Sequence, residues 1–315
     1  MVGEEIPENL RNALEDFESR IEQILTSFTE KINAVQAPQI IYHYTNDAGL
    51  KGILESGKIW LSDVFSLNDP SELRHGFSIF IEALESKAAN APDPFKLFTR
   101  TMRTSLERIR ESATYFACSL SATGDDLGQW RAYADNGQGF AIGFDAQKLE
   151  RSFVPPGTSQ SVSASFPVTY DDAQLRKIHR EIVDQVLGFV SVQCDGADIL
   201  KLYLAELGTL AASHAMHASL FFKHSAYENE KEYRFLKVFE ISDPIVGIKA
   251  RMRPYNLTKY IEFDWRAADP KTLRSIVVGP AANWTTASRF ANDCLDTFHP
   301  QNISLFQSGI PYRSR

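Results

Sequence analysis

The chain has 315 residues, room for one large domain or two ordinary ones, and 43% hydrophobic with 11% aromatic residues fills a core, which excludes a disordered chain. A formal net charge of −7 at pH 7 favours solubility and argues against broad, non-specific nucleic-acid binding, though a local basic patch escapes that test. Cys118, Cys194 and Cys294 are scattered without a CxxC pair, the acidic start lacks an apolar signal region, and no stretch reaches the roughly 18 apolar residues of a membrane span; the expectation is a soluble, cytoplasmic protein with reduced core cysteines.

Residues 7–34 carry Leu10, Leu14, Phe17, Ile21, Ile24, Leu25, Phe28 and Ile32 on one stripe. This predicts a long amphipathic helix, lying on the parent core or, because the spacing lasts about four heptads, pairing in a homodimer. After Pro38, the β-branched and aromatic run Ile40 to Tyr44 reads as a strand. Leu50, Ile53 and Leu54 then have helical spacing closed by Gly57, and Lys58 to Ser62 returns to strand. Asn68-Asp69-Pro70 reads as a turn fixing a pocket wall, with Asp69 or Ser71 capping the next helix.

Leu73, Phe77, Phe80, Ile81 and Leu84 mark that helix; residues 88–94 break it, and Phe95, Phe98, Met102, Leu106 and Ile109 mark a second. Thr114 to Ser121 is a strand, residues 124–133 a short helix, residues 135–139 a turn, and Phe140 to Asp145 a buried strand. Residues 151–161 form a Pro/Gly/Ser-rich loop before a strand over Val162 to Tyr170 and helices near 172–192 and 197–220. Strands follow over Tyr233 to Phe239, Pro244 to Lys249, Thr258 to Phe263 and Ser275 to Gly279, then a helix with Ala287, Phe290 and Leu295 and a late strand at Ile303 to Phe306. Short strands alternating with helices outside regular βαβ units predict an α+β fold with mixed or antiparallel sheets. The expected organisation is an N-terminal helix over 1–36 and a single domain over 37–315, with helical insertions near 71–111 and 172–222.

Walker A, GxGxxG, HExxH and GxSxG signatures are absent. His214 and His217 share a helical face with His224 further on, but nothing fixes further ligands, so a helix-surface or packing role is the reading and no metal is expected. Glu228, Glu230 and Glu232 would share one side of a strand, with Arg234 in line. Such a row is either a solvated strand start with Glu–Arg pairing, or it holds a carboxylate that binds a ribose hydroxyl and stabilises positive charge at a sugar carbon. Trp130 is a core anchor or, with Arg131, the border of a pocket. Arg74, Arg131 and Arg234 are candidates for bidentate phosphate binding. His43, projecting from a core strand beside aromatics, is placed to clamp a ligand.

Tyr42-His43-Tyr44-Thr45, Leu67-Asn68-Asp69-Pro70-Ser71-Glu72, Cys118-Ser119-Leu120-Ser121, Gln129-Trp130-Arg131-Ala132-Tyr133-Ala134, the run from Gly139 to Asp145, and Glu230-Lys231-Glu232-Tyr233-Arg234 resemble the successive motifs of a bacterial and phage family, the domain of unknown function 2971, over about residues 40–280. More distantly the pattern is similar to ADP-ribosyltransferases. That resemblance implies a mixed or antiparallel β core of ADP-ribosyltransferase type with added helices. It also implies NAD as substrate and an enzyme that cleaves its C1′–N bond, by ADP-ribosyl transfer or glycohydrolysis, as a toxin or phage-defence effector.

Carried over, His43 takes the first-strand position, followed by Tyr44 and Thr45. Ser119 or Tyr133 takes the second, Glu232 the final glutamate, and Glu230 the upstream member of an ExE pair. The implied catalytic set is His43, Glu230 and Glu232, and the NAD-binding set Tyr44, Thr45, Ser119, Trp130, Arg131, Tyr133 and Arg234. The acceptor could be protein, nucleic acid or water. The alternative is a non-catalytic nucleotide- or nucleic-acid-binding module; a weaker third is a hydrolase using Asp69 and Glu72. The transferase reading needs His43 and Glu232 in one concave pocket.

Overall fold

The computed structural model describes residues 8–34, 37–66, 71–109, 113–154, 162–193, 197–240, 247–253 and 256–312. In chain order its first elements are α1 (Glu8–Asn33), β1 (Ile40–Thr45), α2 (Asp47–Ser56), β2 (Lys58–Asp63), α3 (Ser71–Ala88), α4 (Asp93–Arg108), β3 (Ala113–Ser121) and α5 (Leu127–Tyr133). There follow β4 (Phe140–Asp145), α6 (Ala146–Phe153), β5 (Val162–Pro167), α7 (Asp172–Gln193), α8 (Ala197–Leu220), β6 (Glu232–Glu240), β7 (Lys249–Arg253), β8 (Asn256–Asp264), β9 (Leu273–Val278), α9 (Trp284–Phe298) and β10 (Ser304–Gln307). These form two compact units, one of residues 1–35, 69–113 and 169–225, the other of residues 36–68, 114–168 and 226–315.

The first unit is helical. The α1 stripe is covered inside it, with Phe17, Ile21 and Phe28 buried, Phe17 meeting Phe189 edge-on at 5.6 Å and Phe28 stacking on Phe222 at 5.1 Å. Of the two readings of this stripe, the structure shows α1 lying on its own chain, packed on α7 and α8. In α4, Phe95, Phe98 and Met102 are fully buried, at the spacing that brings residues three and four apart onto one face. His179 lies fully buried, edge-on to Phe80 at 5.3 Å, and the His214 and His217 rings are 6.3 Å apart. Among the described residues no group of three His, Cys, Asp or Glu side chains could hold a metal ion.

The second unit is built on a sheet ordered β10-β9-β4-β1-β3-β2-β8-β7, with β6 joined to β3 and β5. Strand β1 runs antiparallel to β4, from Ile40 opposite Asp145 to Thr45 opposite Phe140, whereas β10 runs parallel to β9. The α+β expectation therefore stands, with an open, mixed and largely antiparallel sheet; nothing in the topology ties it to the ADP-ribosyltransferase type. Its core joins Ile41, Ile59, Leu61, Phe116, Cys118, Leu120, Ile142, Phe235 and Trp265 with Leu50 of α2 and Leu295 of α9. Helix α2 starts where Asn46 Oδ1 accepts from the Gly49 N–H at 2.8 Å and stops at Gly57, whose φ of 66° suits glycine.

Some elements escaped the sequence reading. Helix α6 directly follows β4, capped by Asp145 through Lys148 N–H, and buries Leu149 and Phe153. Its two turns were hidden by the proline-rich stretch beyond, of which residues 155–161 lie outside the described residues, as do the turn at residues 67–70, Cys194 and the start of the strand expected at Pro244. Cys118 and Cys294 are buried free thiols, as expected. No described helix is long and apolar enough to cross a membrane.

Burial holds the histidines of the helical unit neutral: His179 is lowered to about 3, and His214 and His217 to about 4. An unfolded chain returns them to about 6.5, so as pH falls it takes up protons first. The stability these groups lend is therefore fully present above the unfolded value and is lost as pH drops from there towards 4. Urea unfolding followed by far-UV circular dichroism should show a falling midpoint between about pH 7.5 and about pH 5.5, before most carboxylates titrate, and His179→Leu should flatten that slope. Equal midpoints at both pH values would contradict it.

Candidate functional site

Strand β3 pairs with β1 through Ser121 opposite Tyr42, and with β2 through Ala117 and Phe116 opposite Ser62 and Asp63. Strand β6 joins it as well, and the Ala122 N–H donates to the Lys231 carbonyl at 2.8 Å where that contact begins. Ser119 falls between the β1 and β2 contacts and is exposed. Its Oγ donates to Glu232 Oε1 at 2.5 Å, and Arg234 Nε donates to the same oxygen at 2.7 Å. Glu232 and Arg234 are only 4% and 3% exposed, so this is a buried ion pair bonded to an exposed serine. Strand alternation puts residues 232 and 234 on one side, which is why the arginine can reach its neighbour-but-one.

The row of three glutamates does not form. Glu228 and Glu230 lie in a 3-10 turn (Ser225–Glu230), and the strand starts only at Glu232. Lys231 breaks the alternation with a φ of 43°, its N–H reaching the Glu228 carbonyl at 3.2 Å, while Ser121 Oγ holds the Glu230 carbonyl at 2.7 Å. The turn separates carboxylates that would repel along a strand, so Glu230 is a half-buried neighbour of Glu232 and not its in-line partner.

His43 pairs across the strands with Ile142, and both Ile142 and Ile41 belong to the main core. Alternation thus sends His43 to the core side of the sheet. Tyr233 and Phe235 belong to that same core, so Glu232 and Arg234 leave by the other side. His43 and Glu232 thus leave opposite faces of their own strands. His43 is half-buried, its Nδ1 enclosed without a hydrogen-bond partner among the described residues, and burial first, then the charge of Arg251, lowers its pKa to about 4. It is a neutral imidazole at pH 7.

Other expected ligand contacts turn out to hold the fold. The Tyr44 hydroxyl donates to the Thr123 carbonyl at 2.8 Å and accepts from the Asp126 N–H at 3.1 Å; burial raises its pKa. Trp130 is fully buried, edge-on to Tyr44 at 4.8 Å, with Nε1 donating to Asp125 Oδ1 at 2.7 Å. It is a core anchor, the first of the two readings of its place in the sequence. Thr45 is half-buried opposite Phe140, packed so closely on Gly49 that a Cβ there would lie 1.8 Å from its Oγ1. Arg131 and Tyr133 are exposed on α5, while Arg74 is exposed in the helical unit. Asp69 and the Glu72 side chain lie outside the described residues.

Sequence reasoning missed Arg251 of β7. Its Nη2 donates to Ser62 Oγ at 3.0 Å, and its guanidinium lies 5.6 Å from the Trp60 ring. Its charge acts on His43 and on Cys118, whose thiol burial and the Glu232 carboxylate push up to about 12 against the pull of Arg251. The available signal was the alternating basic run Lys249, Arg251, Arg253, beyond the point where the sequence reading ended its strand.

A protein-family model described as Protein of unknown function (DUF2971) matches residues 129–235. The match takes in Trp130, Glu230, Glu232 and Arg234 and omits His43 and Ser119, so it is narrower than the span of about residues 40–280 expected from the motifs. No curated protein and no solved structure matches the chain. Nothing in these findings links it to the ADP-ribosyltransferase superfamily.

Removing one member of the buried pair leaves the other uncompensated, which costs about 3–5 kcal/mol. Arg234→Met and Glu232→Gln should each lower the urea midpoint, and the double variant should lose less than the sum of the two. A double-mutant cycle with strictly additive losses would show that the two charges do not depend on each other.

Proposed function

We propose that the chain cleaves the C1′–N bond of NAD, passing ADP-ribose to a protein, a nucleic acid or water, with Glu232 as the carboxylate that stabilises the reacting carbon. The observation that carries this reading is the Ser119–Glu232–Arg234 chain. A carboxylate fixed by a guanidinium and a hydroxyl keeps its orientation and needs no reorganisation as positive charge develops at C1′. Nicotinamide leaves with the bonding electron pair, the acceptor oxygen adds to C1′, and the acceptor's proton goes to solvent or to Glu230 at the start of the same strand. Ser119, exposed at the end of the chain of hydrogen bonds, supplies the edge that a ribose hydroxyl would meet. Because alternation sends His43 and Glu232 to opposite faces of their strands, the single pocket expected to join them is dropped from this reading, and Ser119 and Arg234 orient the carboxylate in place of His43. An enzyme of this kind would deplete or divert NAD, in keeping with a toxin or phage-defence effector.

A second reading is a nucleotide- or nucleic-acid-binding module without catalysis. It is favoured by the opposite alternation of His43 and Glu232 and by the burial of Glu232 against Arg234, which a purely structural ion pair would also show. Incubation with NAD, followed by chromatography for free nicotinamide, separates the two. Release by the wild type, at least about 100-fold slower in Glu232→Gln and several-fold slower in Ser119→Ala with both variants folded, is the expected result. Tight ligand binding with NAD intact would select the module.

A further inference from the structure

The face of the sheet formed by β2, β8 and β7 carries a second set of polar groups. Arg251 pairs across the strands with Thr258, and Ser62 with Tyr260. Leu61 and Ile261, which alternate with them, lie in the core, so Arg251, Thr258, Tyr260, Ser62 and Trp60 share the other side. Ser62 Oγ accepts from Arg251 and so retains its own proton to donate. Thr258 is fully buried, yet its Oγ1 has no hydrogen-bond partner among the described residues. An enclosed hydroxyl without a partner costs free energy, and such groups are satisfied in nearly all native proteins. Trp60 stacks on Tyr260 at 4.2 Å and remains 41% exposed, so the set opens at this aromatic edge. Glu262 on the same strand is bonded to Lys249 at 2.8 Å.

We propose that Arg251, Ser62 and Thr258 form a phosphate-binding subsite, with the exposed Trp60, backed by the buried Tyr260, as the surface for an attached base, so that the ligand class is a nucleoside diphosphate. One guanidinium and two hydroxyl donors suit an anion with several acceptor oxygens, because a phosphate can accept from all three at once. The aromatic pair supplies an apolar face for any purine or pyrimidine without reading its edge. Joined to the NAD reading above, on which this extension alone rests, the subsite would hold the diphosphate of the dinucleotide.

Calorimetric titration with ADP, and with adenosine as the phosphate-free control, tests the subsite without requiring any bond cleavage. Arg251→Gln should weaken ADP binding at least about tenfold and leave adenosine binding unchanged, with Arg251→Lys intermediate because it keeps the charge and loses the planar fork. Thr258→Val should weaken ADP several-fold while the melting temperature holds or rises, since it removes a hydroxyl that has no partner among the described residues. Failure of the wild type to bind ADP at millimolar concentration, or equal ADP affinity in wild type and Arg251→Gln, overturns the proposal. ADP binding that depends on Arg251 alongside intact NAD in the nicotinamide assay would strike the cleavage reaction and leave the subsite standing.

Discussion

A β-strand offers two edges to its neighbours, and β3 serves three strands. Its contacts with β1 and β2 lie at different heights, at Ser121 and at Ala117, and the sheet parts between them. Much of the second unit follows from that constraint. Ser119 comes to the surface at the parting, while Cys118 and Leu120 on either side stay in the core. The adjoining strand β6 then places an arginine and a glutamate on the serine's side, and the three side chains satisfy one another. A parted sheet needs polar groups to finish it, and here they are charged.

The two sides of the sheet treat charge differently. On the core side the imidazole of His43 is kept neutral by burial, with the positive field of Arg251 acting in the same sense. On the other side Glu232 is enclosed with a guanidinium in contact. A buried ion pair adds little net stability compared with a hydrophobic pair of the same volume, because desolvation offsets most of the attraction. Its presence beside an exposed hydroxyl is therefore better explained by what a fixed carboxylate can do than by what it adds to the fold. The same reasoning applies to Thr258, whose enclosed hydroxyl brings no benefit to the free protein.

Wherever periodicity ran over several turns, the fold was legible. Leu14, Phe17, Ile21, Phe28 and Ile32 of the first stripe are buried, with Ile24 and Leu25 half-buried beside them, and the run from Phe95 to Ile109 is buried as its spacing demands. Short elements between punctuating residues were not: α6 spans two turns against a proline-rich stretch, and its hydrophobic faces carry too few residues to stand out. For the site, Glu232, Ser119 and Arg234 were all singled out and do meet. What failed was the assumption that a strand extends through every alternating charge. Lys231 adopts a left-handed backbone conformation, which no residue-type rule assigns to lysine, and this single torsion removes Glu228 and Glu230 from the strand. The relation of His43 to Glu232 depended on which side of the sheet each occupies. That is set by pairing between segments nearly 200 residues apart, and local patterning does not encode it. Trp130 shows the same limit, since a tryptophan on a short helix reads alike whether it caps a core or lines a cleft.

The helical unit is assembled from three separated lengths of chain, and α1 is covered by α7 and α8. On a ribosome adding about 5–20 residues per second, the apolar stripe of α1 waits on the order of ten seconds before α7 has been made. Throughout that interval Phe17, Ile21 and Phe28, which end up buried, face solvent or a chaperone. Biogenesis of this protein is thus tied to the rate of its own translation. A codon-level slowing between α1 and α7 would lengthen the exposure without altering a single residue of the finished molecule.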